Sequence, residues 1–269
     1  ATTDQSTTTP ARMPVWAQKL LKRPLVEIRR GISFGYDAPK EESSVVALTV
    51  PSGRYIDIRW QLNPTATAIR GSVKQSSSFP GYATAGMSYT RMPRGTESCP
   101  AYESTIHVQW EHSIDSSRAF DTDGADVYLL SNGDTMEIGY MMLRGEWRMF
   151  KEYWLDGATR ETDTAYVAME LVGLATDNGV SEEGEKGEKG EKGMVIRVGS
   201  YCQGIFQNTE ELWVERWKVD ETGDWKMDSR STRREDATLP CQWATGEERK
   251  LGDSTELGNR VWRVVETSY

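Results

Sequence analysis

The sequence is poor in the residues that most metal, disulfide and nucleophile chemistry requires. Its 269 residues include two histidines, His107 and His112, and three cysteines, Cys99, Cys202 and Cys241. The cysteines form no CxxC pair and leave an odd thiol, which points away from a disulfide framework and a zinc site. No phosphate-binding glycine loop, Gly-x-Ser-x-Gly elbow or His/Cys metal spacing occurs, so the sequence calls for no cofactor and no metal. No apolar run approaches the length of a membrane span. The opening "ATTDQSTTTPARMP" has no apolar signal core, and the sequon at Asn63 is blocked by Pro64. A soluble intracellular protein is expected. Positive charge is also scarce: the net charge is −9 and the isoelectric point about 5.0. That balance opposes a phosphate backbone as partner, and the basic group Arg230, Arg233 and Arg234 is broken by Glu235 and Asp236.

What is abundant is strand pattern and amphipathic aromatics, with ten Trp and eleven Tyr against five Phe. "VVALTVPSGRYIDIRWQL" reads as two strands about the turn Pro51-Ser52-Gly53, and Asn132-Gly133 marks a hairpin. "STIHVQWEHSID" and "GEWRMFKEYWL" alternate like strands. After a polar break from Asp156 to Thr164 the pattern restarts with "TAYVAMELVGL", "MVIRVGSYCQGIF", "ELWVERWKV", "GDWKMDSR" and "NRVWRVVE". The expectation is an all-β chain of two consecutive antiparallel barrels with few or no helices. A loose segment covers 1–24, carrying a short helix in "VWAQKLLKRP". The first barrel covers 25–160 and the second 161–269. The triple Gly-Glu-Lys repeat in "SEEGEKGEKGEKGMVIRV" lacks the proline and the length of a collagen rod. It reads as the solvated tip of a hairpin between "TAYVAMELVGL" and "MVIRVGSYCQGIF".

"MVIRVGSYCQGIF", "ELWVERWKV" and "NRVWRVVE", preceded by "GRYIDIRW", "VQWEHSIDSSR" and "DVYLLSNGDTMEIGYM" in that order, resemble the fungal Hri-type proteins. The similarity covers most of the chain after about residue 25. It departs from the family in "NPTATAIRGSVKQSSSFPGYATAG" and in the extended Gly-Glu-Lys loop. The resemblance implies two lipocalin-like barrels in a soluble protein of the cytoplasm, or also of the nucleus. It implies a casein-kinase-type protein partner, leaves room for a homodimer, and carries over no catalytic residues.

Candidate sites follow from strand alternation. His107 and Glu111 share a strand face and could act as a general acid/base pair if it points inward. Asp57 and Arg59, with Glu137, could form a buried charge network with shifted pKa values. The plainer reading puts these polar faces outside, because alternation normally turns the apolar side, such as Ile56, Ile58 and Trp60, toward a barrel's core. Trp60, Trp110, Tyr140, Trp147, Tyr153 and Trp154 could line a pocket for an apolar ligand. Cys202 reads as a buried thiol rather than a nucleophile. Two functions remain: a binding or adaptor protein that recognises a protein partner or a hydrophobic small molecule, and a cofactor-free isomerase, cyclase or dehydratase working in the first barrel.

Overall fold

A computed structural model describes residues 24–62, 81–92, 104–157, 165–176, 179–182, 190–232, 234 and 237–269. The proposed N-terminal helix, Cys99, most of the divergent 63–86 stretch and most of the Gly-Glu-Lys tract lie outside those residues. The fold is all-β. Eight strands close an antiparallel barrel in chain order: β1 (Leu25–Phe34), β2 (Ser43–Thr49), β3 (Arg54–Gln61), β4 (Tyr82–Arg91), β5 (Thr105–Asp115), β6 (Thr122–Leu129), β7 (Thr135–Leu143) and β8 (Glu146–Asp156). The turns expected at Pro51-Ser52-Gly53 and Asn132-Gly133 join β2 to β3 and β6 to β7. Gly53 has φ +94°, and a Cβ there would lie 2.3 Å from the Ser88 carbonyl oxygen, so this tight turn requires glycine.

The second half forms β9 (Tyr166–Thr176), β10 (Gly179–Glu182), β11 (Lys192–Val198), β12 (Tyr201–Gln207), β13 (Leu212–Val219), β14 (Trp225–Arg230), β15 (Ser254–Leu257) and β16 (Arg260–Thr267). The sheet runs β14-β13-β12-β11-β9-β16-β15 and curls into a half-barrel, with β10 beside β9. Among the described residues its edge strands β14 and β15 do not pair. Between them the chain carries the short helix α1 (Cys241–Thr245). Val167, Met169, Phe206 and Trp262 surround Ala237, Leu239, Cys241 and Ala244, so this segment fills the hollow of the sheet.

β10 pairs antiparallel with the end of β9: Thr176 faces Gly179 and Gly173 faces Glu182. β11 then continues along the same edge of β9. The Gly-Glu-Lys repeat follows β10 in the chain and runs into β11, with its residues 184–189 outside the described ones. The strand patterns on either side could not reveal β10, because it is only four residues long.

The main apolar core lies between the two units. Val46, Leu48, Ile56, Ile58, Trp60, Ala83, Ala85 and Ile114, on the outside of the first barrel, pack with Ala168, Met194, Ile196, Val198, Ile205 and Val214 of the second sheet. The expectation that Ile56, Ile58 and Trp60 point into the barrel is thus reversed. A barrel wall covered by a second sheet is buried on both faces, so its most apolar side goes to the dry interface. Within that interface Gln203 Nε2 donates to the carbonyls of Val46 (3.0 Å) and Ile56 (3.1 Å), and Arg216 Nη2 donates to Ile58 O at 2.6 Å. Burial brings the Arg216 guanidinium down to about 10.

Candidate functional site in the first barrel

Because β3 turns its isoleucines outward, the alternate residues Tyr55, Asp57 and Arg59 point inward. The barrel encloses a cavity of about 360 Å³ lined by these three together with Glu27, Glu137 and Glu152. Apolar surface comes from Trp110, Phe150, Trp154, Ile106 and Val108. On β5, Ile106, Val108, Trp110 and His112 face the cavity, and a register shift between Ala85 and Gly86 on β4 accompanies the switch that sends Ile114 to the shared core.

Charge is concentrated in the interior. Arg29 Nη1 donates to Glu152 Oε1 at 2.6 Å, and Arg29 Nε donates to Glu41 Oε2 at 2.8 Å. Arg59 holds Asp57 Oδ2 through Nε at 2.9 Å and Nη2 at 2.8 Å, and its Nη1 reaches Glu152 Oε1 at 3.4 Å. Burial alone would lower the Arg59 pKa, but Asp57 and then Glu152 outweigh it and hold the guanidinium charged. Glu137 lies directly opposite Glu152 in the β7–β8 ladder. Desolvation first, and the neighbouring Glu152 charge second, push the Glu137 carboxyl well above the usual carboxylate range.

His112 reaches Asp115 through Nδ1 (3.4 Å) and Asp123 through Nε2 (3.3 Å). Burial would lower its pKa, but hydrogen bonding and charge from Asp123 and then Asp115 raise it. Two polar atoms of the cavity wall have no hydrogen-bond partner among the described residues: Asp57 Oδ1 and Trp154 Nε1. Their residues are 8% and 5% exposed. Buried polar atoms are normally paired, so orphans that converge on a cavity mark places where a guest could bond.

The candidate residues read from the sequence divide cleanly. Asp57, Arg59 and Glu137 meet inside the barrel. Neither His107 nor Glu111 lines the cavity: His107 Nδ1 pairs with Asp126 at 2.8 Å, and Glu111 is exposed, so the structure does not bring them together as an acid/base pair. Of the aromatics, Trp110 and Trp154 line the cavity, and Tyr140 lines it while remaining largely exposed, which places it where the cavity meets solvent. Trp60 lies in the core between the units, Trp147 is exposed on the surface, and Tyr153 donates its hydroxyl to Asp134 at 2.6 Å. Cys202 is fully buried in the second unit beside Cys241, whose thiol is pushed up by burial.

Sequence reasoning missed Glu27, Glu152, Tyr55, Tyr82 and His112. The available signal was the recurrence of charge at alternate positions in three strands of one unit: Glu27 and Arg29, Asp57 and Arg59, and Glu152 between Phe150 and Trp154.

A family model described as Protein HRI1 matches residues 25–266. The chain is similar in fold to the crystal structure of an uncharacterized protein, YLR301w, from Saccharomyces cerevisiae. The TM-score is 0.67 at 16% identity, over 92% of this chain and 100% of that one. No curated protein sequence matches.

Proposed function

The chain belongs to the HRI1 family, and from that premise we propose that it is a binding protein whose first barrel takes a small organic molecule into its interior. The observation that carries this reading is the cavity of about 360 Å³ with two orphaned polar atoms on an aromatic wall. Its size falls within the range of small-molecule sites, and its few polar groups on apolar walls are what such sites use to fix orientation. Thermal melting and tryptophan fluorescence against a panel of apolar and aromatic small molecules test the proposal, since a ligand of the folded state raises the midpoint by mass action. The expected result is a saturable shift that Trp110→Ala weakens and Trp147→Ala, on the outer surface, leaves intact. Equal loss in both variants, or no shift across the panel, overturns it.

A second reading, a cofactor-free isomerase, cyclase or dehydratase, is favoured by one observation. Glu137, whose carboxyl is held well above the usual carboxylate range, faces Glu152 across the β7–β8 ladder, and Arg59 Nη1 lies 3.4 Å from Glu152, so two carboxyl groups and a guanidinium are within one cavity for proton transfer. In that reading Glu137, Glu152, Asp57 and Arg59 take the roles first considered for His107 and Glu111. The adaptor role, with a casein-kinase-type partner or a second copy of the chain, would use the outer surface, where Tyr140, Met142 and Trp147 are exposed. Sedimentation across a range of protein concentrations tests the homodimer, and a monomer throughout counts against it. The cytoplasmic or nuclear location implied by the resemblance is part of this adaptor reading.

A further inference from the structure

Among the described residues, five acidic side chains line the cavity, Glu27, Asp57, Asp123, Glu137 and Glu152, against one guanidinium, Arg59, and one imidazole, His112. Arg29 reaches the same network through Glu152, but it also serves Glu41. The hydrogen bonds of the two guanidiniums go to Glu41, Asp57 and Glu152. An anionic guest would therefore meet an interior already in excess of negative charge, whereas a cation would reduce it. Asp57 Oδ1, buried and without a partner, is an acceptor that only a donor can satisfy.

We infer that the first barrel selects a small organic ammonium ion, whose N–H groups reach the Glu137–Glu152 pair and Asp57 while its apolar or aromatic body lies against Trp110, Phe150 and Trp154. This rests on the reading that the barrel binds a small molecule, and names the chemical class it takes. The aromatic rings favour the same guest, because their faces attract cations as well as apolar groups. Glu137 faces Glu152 from β8, Glu27 and Arg29 from β1, Asp57 and Arg59 from β3, with His112 on β5 and the largely exposed Asp123 on β6 also lining the cavity. Burial first and the Glu152 charge second raise the Glu137 carboxyl, so an entering ammonium ion, which offsets the second, should favour the ionised carboxylate and send a proton to solvent. Binding should weaken as pH falls, since protonated Glu137 then has to release its proton against a higher proton concentration.

Calorimetry of the full chain with three matched probes, tryptamine, tryptophol and indole-3-acetate, tests this. Tryptamine should bind on the order of tenfold more tightly than tryptophol, the effect of one added charge contact, and indole-3-acetate should give no heat. Repeating the tryptamine titration at pH 7 in buffers of different ionisation enthalpy should show net proton release. Glu137→Gln should cut the preference for amine over alcohol to below about threefold and abolish the proton release. Tryptophol or indole-3-acetate matching tryptamine in the wild-type protein overturns the charge selectivity while leaving a small-molecule pocket standing, and needs no variant to be folded. Failure of all three probes at millimolar concentration overturns both.

Discussion

The two units follow the same strand grammar yet treat their interiors in opposite ways. The first barrel closes around charged and aromatic side chains and keeps a cavity. The second sheet stays open and is filled by its own chain, with Leu239, Cys241 and Ala244 packed among Trp262, Phe206 and Met169. Both give one apolar face to the core they share. The difference teaches that alternation alone does not decide which face of a strand is the inside. What decides is where the best apolar surface finds a partner, and here that partner is the other unit.

The largest effect is expected in the filled unit. Trp262 is 1% exposed, and its ring lies where a Cβ on Gly193 would come within 2.3 Å, so no slack surrounds it. Trp262→Ala should cost about 3–5 kcal/mol in denaturant unfolding. Trp110→Ala removes a ring that already borders a cavity and should cost less than about 2 kcal/mol. Equal costs would mean that the first barrel is as tightly filled as the second.

Arg216→Met tests the seam between the units. It leaves the Ile58 carbonyl and Gln203 Oε1 without their donor, the latter a 2.8 Å bond, and should cost about 1–3 kcal/mol. No loss on denaturant unfolding would mean that the Arg216 bonds add nothing to the adhesion of the two units.

Smaller effects distinguish the charged interior. The folded protein keeps a proton on Glu137 at pH values where the unfolded chain has released it, so wild-type stability falls as pH rises from the ordinary carboxylate range through the raised pKa. Glu137→Gln removes that loss, and its midpoint should exceed the wild type by roughly 2–4 °C at pH 8, with the advantage shrinking toward pH 5. A pH-independent difference would place the carboxyl in an ordinary solvated setting. His112 acts in the other direction. Its raised pKa contributes stability fully present below about pH 6.5 and lost as pH rises through the folded value. His112→Asn should therefore cost about 1 kcal/mol at pH 5.5 and less at pH 9, followed by urea midpoints at both.

Much of this was legible in the sequence. The turns at Pro51-Ser52-Gly53 and Asn132-Gly133, the strands flanking them and the all-β class follow from residue type and period 2 alone. Of the candidate site, Asp57, Arg59, Glu137, Trp110 and Trp154 were named, but their company was not. Glu152 and Glu27 lie far from Asp57 in the chain, and only closure of the barrel brings them within reach of Arg29 and Arg59. The facing of β3 was misjudged for the same reason: a strand covered on both sides carries an alternation whose sign depends on its neighbours. α1 was missed because five residues at the end of an irregular segment give no helical period to read.

The shared core also has a consequence in time. Translation proceeds at roughly 5–20 residues per second, so after Asp156 emerges, β11 and β12 follow only some seconds later. Until then the outer wall of the first barrel, with Leu48, Ile56, Ile58 and Trp60 bare, waits for its cover. A nascent chain paused in the Gly-Glu-Lys tract would hold that wall open longest, and is the form that most needs a chaperone.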